Sequence, residues 1–232
     1  MIIVTFMMRL RPGVLFAVLV CLSPLVALVS AAADRTPPSV EPATSFPAVD
    51  IHVDEHVAIA ADPYDTHEKA AIFRADYLKY GFMPIRLIVT NNGDKPISLA
   101  EARIHFITAD GDKIPAALPG DIERRSTTVS NAGRRIPLPA PLPPIHQKVK
   151  SKTKEIDADF ASFEYSALAV ESHTTRAGFL FYDMREIENP LKGAKLYLRM
   201  LRSSDGKDLF FFEIPFDKYL ATQPHLEKRT SE

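Results

Sequence analysis

Cysteine and tryptophan are nearly missing from this chain. Its 232 residues include one cysteine, Cys21, and no tryptophan, and only nine are glycine. Cys21 falls within an apolar N-terminal run, so the sequence downstream of it has no disulfide, thiol nucleophile or thiolate metal site. A chain this long can bury a sufficient core without cross-links. A surplus of basic charge is also lacking. The formal net charge is −1, and loss of Arg9 and Arg11 with a leader would make the rest slightly more acidic. That balance argues against a nucleic-acid binder, which shows a basic domain. Phosphate-binding glycine loops, Gly-x-Ser-x-Gly and His-Glu-x-x-His are all absent, so no familiar catalytic motif is present.

The N-terminus carries the clearest signal. Arg9 and Arg11 precede an apolar run from Val14 to Val29, and Val29-Ser30-Ala31 and Ala31-Ala32-Ala33 supply small residues for a signal peptidase. This is the pattern of a secretory signal peptide over residues 1–33. A retained anchor is the rival reading, because Val14 to Ala33 is just long enough to span a bilayer. Val20 is too large for the small residue that lipidation of Cys21 would need. Residues 34–48, rich in Pro, Ser, Thr and Ala, read as a flexible tether.

Residues 49–220 read as one β-rich domain. Val49 to Ala60 has the alternation of a strand, with His52, Asp54 and His56 on one face. A short helix is expected over Lys69 to Tyr80, then strands at Ile85 to Thr90, Ile97 to Leu99 and Ala102 to Thr108. Glu155 to Leu168 has Ile156, Phe160 and Phe163 at helical spacing. A strand follows at Ala177 to Met184. Lys195 to Arg202 and Leu209 to Phe216 form a hairpin around Asp205-Gly206, with Phe210, Phe212, Ile214 and Phe216 on its core face. Residues 221–232 read as a polar tail. About seven short strands with one or two short helices in the connections predict a mainly β fold, an antiparallel β-sandwich.

Two features suggest contacts. His52, Asp54 and His56 on one strand face could be part of a zinc or copper site, completed by His67 or His105, or could be an ordinary solvated face. Residues 123–154 read as a long basic, Pro-rich loop: from Arg124 onward it has eight basic residues and no acidic one. Arg124, Arg125, Arg134, Arg135, Lys148, Lys150, Lys152 and Lys154 could meet an anionic partner, or the segment could be a solvated linker.

The stretch Phe73 to Leu99 reads Phe-x-x-x-Tyr-Leu-x-x-Gly-x-x-Pro-Ile-x-Leu-x-Val-x-Asn-x-Gly-Asp-x-Pro-Ile-x-Leu. It resembles a segment of exported bacterial proteins with immunoglobulin-like domains of unassigned role, and Arg176 to Phe181 is similar to a later strand of such domains. The resemblance implies an immunoglobulin-like sandwich in an extracytoplasmic setting and carries over no catalytic residue. The expectation is a non-catalytic binding protein of the cell envelope that needs no cofactor. Its partner would be a protein or an anionic envelope polymer rather than nucleic acid, and it would meet the membrane only if the leader is retained. The alternative is a metal-handling protein or hydrolase using the His52 strand.

Overall fold

The computed structural model describes residues 35–132 and 152–223. The expected leader and most of the polar tail lie outside them. Among the described residues, no helix is long and apolar enough to cross a membrane. In chain order the elements are β1 (Val49–His52), β2 (Val57–Pro63), α1 (His67–Ala70), β3 (Phe82–Asn91), β4 (Ile97–Ser98), β5 (Arg103–Ile107), β6 (Lys113–Pro115) and α2 (Pro119–Ala132). Then come α3 (Thr153–Phe163), β7 (Ala169–Val170), β8 (Thr174–Asp183), β9 (Lys195–Arg199), β10 (Arg202–Ser203), β11 (Phe212–Pro215) and α4 (Asp217–Ala221).

The strands pair antiparallel in a sandwich-like arrangement of two four-stranded sheets, ordered β1-β2-β3-β8 and β11-β9-β5-β6, with a small sheet β10-β4-β7 beside them. Alternation drives the layering, because successive side chains on a strand point to opposite faces. Ile59, Ile85, Leu87 and Val89 of the first sheet share one buried cluster with Phe106, Leu196, Leu198, Phe212 and Ile214 of the second.

The first sheet is covered on its other face as well. Every residue of β3 is buried, as expected of a strand packed on both sides. One part of that outer face meets α2 and α3. Phe179 and Phe181 of β8 pack there with Phe73, Tyr77, Ile122, Ile156, Phe160 and Phe163. Another part is covered by residues 35–48, which pack as an ordered strap, contrary to the tether expected from composition. Ala43 and Ala48 are fully buried. The Arg86 guanidinium donates to the Pro38 and Ser39 carbonyls at 3.0 and 2.8 Å, and the Ala43 N–H donates to Thr90 Oγ1 at 2.8 Å. Prolines suit such a strap because it joins no ladder that would need their missing donors.

Three more expectations are corrected. Val49 to Ala60 is not one strand. It folds back at Val53 to His56, where His56 takes a left-handed φ of 57°, and β1 and β2 pair from Val49↔Ala60 to His52↔Val57. The expected helix over 69–80 forms only as α1 and a 3-10 turn at Leu78–Tyr80. Between them, the backbone N–H groups of Arg74 and Ala75 donate to the fully buried Asp159 carboxylate at 2.8 and 2.9 Å, bonds that a continuous helix would have spent internally. The basic segment 123–154 is not a loop throughout. Its first part belongs to α2 and its last residues open α3, while residues 133–151 lie outside the described residues.

Candidate functional site

The hairpin correction separates the three residues expected on one face. The His52 ring stacks on Phe212 of the second sheet, with centroids 3.8 Å apart. Its Nδ1 lies 2.8 Å from Glu55 Oε2 and its Nε2 lies 3.4 Å from Asp50 Oδ2. Those carboxylates in turn accept backbone N–H groups at the edge of the second sheet: Asp50 from Glu213 and Glu55 from Phe210, each at 2.9 Å. The cluster therefore closes a corner of the sandwich by satisfying donors that an edge strand leaves unpaired. Asp54 and His56 are exposed in the turn. Among the described residues, no group of three or more His, Cys, Asp or Glu side chains is placed to hold a metal ion.

The basic residues also disperse. Arg124 is exposed on α2 and pairs with Asp121 one turn earlier. Arg125 is half-buried on the same helix, with Nε enclosed and unpartnered among the described residues. Lys152 is tied to Glu155 at 2.8 Å, and Lys154 is exposed in the first turn of α3. Arg134, Arg135, Lys148 and Lys150 lie outside the described residues.

A shallow cleft of about 230 Å³ opens beside the β1–β2 turn, lined by Asp54, His56, Asp94, Lys95, Asp205 and Lys207 among others. Lys95 and Asp205 are paired across it at 2.6 Å. Hydrogen bonds from Lys95, then Ser203 and the Lys207 N–H, bring the Asp205 carboxyl down to about 2. The buried Asn91 amide donates to the Lys95, Val170 and Glu171 carbonyls at 2.8 to 3.2 Å, which fixes the loops that form this wall. Lys95 and Asp205 are spent on each other, which describes loop bracing better than a site awaiting a ligand.

The second sheet presents a different surface. Its inward face is core, but its outward residues on β5, β6, β9 and β11 are all exposed or half-buried. Cross-strand register sets their neighbours. Arg103 is directly opposite Arg199, His105 lies between Pro115 and Tyr197, and Tyr197 is opposite Glu213. Lys195 pairs with Glu213 at 2.9 Å. Arg103 and Arg199 are exposed, and their side chains have no hydrogen bond or ion pair among the described residues. Partial burial, then the charges of Arg199, Lys113 and Arg103, pushes His105 below the ordinary histidine range. Tyr197 and Phe211 stand together at 5.7 Å between centroids.

Phe211 is there because β11 starts later than alternation predicts. The Leu209 N–H donates to the Leu201 carbonyl and that of Phe210 to Glu55, and β11 begins only at Phe212. Phe210, expected in the core, is 74% exposed, and Phe211 is 53% exposed, while Phe212 onward keeps the buried alternation. Sequence reasoning missed this face. The alternation in Arg103-Ile104-His105-Phe106 and Lys195-Leu196-Tyr197-Leu198-Arg199 marks each outward set, but no local pattern places β5 beside β9. No family model matches this chain, and no curated protein and no solved structure matches it.

Proposed function

We propose that the chain is a non-catalytic, exported module of the cell envelope with an immunoglobulin-like β-sandwich, and that it acts by binding. The supporting observation is the outward face of the second sheet. A sheet face left without a covering layer is usually solvated and polar. This one sets side by side two arginines whose side chains have no ion pair among the described residues, next to two aromatic rings. The leader pattern of residues 1–33 supports the setting.

Two measurements test this reading. A reporter that is active only outside the cytoplasm, fused after Glu232, should be active in cells. The exported protein should also co-sediment saturably with isolated cell envelopes at micromolar concentration. A silent reporter would remove the setting. A protein that stays in the supernatant with every envelope fraction would remove the binding role.

A further inference from the structure

We infer that the outward face formed by Arg103, His105, Tyr197, Arg199 and Phe211 binds an acidic polysaccharide, with its carboxylates on the arginines and its sugar rings against the aromatic pair. This rests on the binding role proposed above and names its site and ligand class.

The argument starts from a local cost. Like charges directly opposite one another on a sheet destabilise it, and Arg103 and Arg199 are in register on neighbouring strands. Neither side chain has an ion pair or hydrogen bond among the described residues. Elsewhere on the same face Lys195 has Glu213, so carboxylates can be accommodated there. The pair at Arg103 and Arg199 is therefore an unmet demand for anions. Guanidinium is suited to it, because its planar fork takes a carboxylate through two parallel hydrogen bonds. The two arginines sit on adjacent strands, about 5 Å apart along the hydrogen-bonding direction. Both guanidinium groups can therefore engage the same anionic ligand. His105, two residues from Arg103 on β5 and opposite Tyr197, adds a further donor to the same face.

The aromatic rings favour sugar over lipid. Tyr197 is half-buried in the sheet and Phe211 rests against it at an interplanar angle of 36°. Tyr197 stays within the sheet face, two residues from Arg199 on β9. A membrane anchor instead projects an apolar face several ångströms into the headgroup region.

The test uses the exported full-length protein, purified from the envelope, with polygalacturonate as the probe. Saturable binding is expected, absent with neutral dextran and weakened by salt as screening shortens the reach of the charges. The double variant Arg103→Gln/Arg199→Gln should bind at least about tenfold more weakly, as expected from losing two charge-assisted contacts. Its thermal midpoint should be equal or higher, because the repulsion is gone; Arg124→Gln on α2 should bind as the parent does. Unchanged binding by the double variant overturns the assignment to this face. Equal affinity for phosphatidylglycerol vesicles, or for single-stranded DNA, overturns the ligand class. Envelope retention that survives in a double variant unable to hold polygalacturonate overturns this inference and leaves the binding role standing. Loss of envelope retention by the parent protein removes the binding role itself.

Discussion

Asp159→Ala removes one carboxylate and should unsettle a whole layer of the molecule. Asp159 is fully buried in α3. It accepts the Arg74 and Ala75 N–H groups at 2.8 and 2.9 Å, the Arg74 Nη1 at 3.2 Å and the Tyr77 hydroxyl at 3.3 Å. These contacts hold residues 73–77, which carry Phe73 and Tyr77 into the aromatic cluster under the first sheet. A buried donor left without a partner costs about 1–3 kcal/mol. The Ala75 N–H and the Tyr77 hydroxyl are enclosed and the Arg74 N–H is partly so, while the Arg74 guanidinium can turn to water and adds little. The expected loss is about 4 kcal/mol, within the range for breaking a buried charged contact. At about 2–4 °C per kcal/mol for a domain of this size, the thermal midpoint should fall by roughly 10 °C. Asp159→Asn keeps one acceptor oxygen but turns an amide donor toward the cluster, and should cost about half as much. Urea unfolding followed by far-ultraviolet circular dichroism gives both values, with an unchanged m-value as the check on comparability. A loss below about 1 kcal/mol for Asp159→Ala would show that water can serve residues 74–77, and would refute the view that this carboxylate holds the helical layer to the sheet.

Gly178→Ala should destabilise by about 2 kcal/mol, as overpacking does, because a Cβ there would lie 2.5 Å from Tyr165 Cα and 2.7 Å from its nitrogen; a wild-type urea midpoint would contradict this. Arg86→Met should cost about 1–2 kcal/mol through two lost charge-assisted hydrogen bonds and should expose residues 35–48 to limited proteolysis, whereas an equally resistant strap would show that Ala43 and Ala48 hold it alone. His105 should titrate below the ordinary histidine range by NMR, and Arg199→Gln should move its midpoint upward. The sign follows from linkage: a depressed folded pKa contributes stability above the unfolded value that is lost as pH falls through the folded one. His105→Gln should therefore flatten the acid limb of the stability profile, and an unchanged limb would refute the assignment.

How much of this was legible in the sequence differs by element. The mainly β character, α3 and the pairing of β9 with β11 followed from alternation, helical spacing and a turn signal, all of which are local. The tether and the two ends of the loop segment that fall in α2 and α3 were misread for one reason. Composition reports what a segment could do alone, and the strap of residues 35–48 is held by Arg86 and Thr90, which the first sheet brings to it. α2 was hidden by its basic residues, although Ile122 fits the apolar cluster beneath it. Asp159 was visible in principle. It occupies the stripe Ile156, Asp159, Phe160, Phe163, all buried, and a carboxylate in an apolar stripe implies a buried partner. The His52 reading failed on a turn. Once the chain reverses at His56, the alternation that grouped His52, Asp54 and His56 no longer applies.

The two sheets differ in a way that bears on where function lies. The first is enclosed by the second sheet on one side and by the helices and strap on the other, so β3 has no solvent face. Residues of β3 answer to packing, and even that strand's arginine, Arg86, is spent on holding the strap. The second sheet gives one face to the core, and among the described residues nothing packs over its outward side chains at Arg103 and Arg199, which are exposed. A stability requirement alone would set opposite charges, or a charge and a neutral residue, across from each other at positions 103 and 199. The repulsive pair found there is a local inconsistency of the kind that functional sites tolerate at the expense of stability. If Arg199→Gln raises the thermal midpoint without harming polysaccharide or envelope binding, that inconsistency has no functional return and the open face loses its claim to be the site.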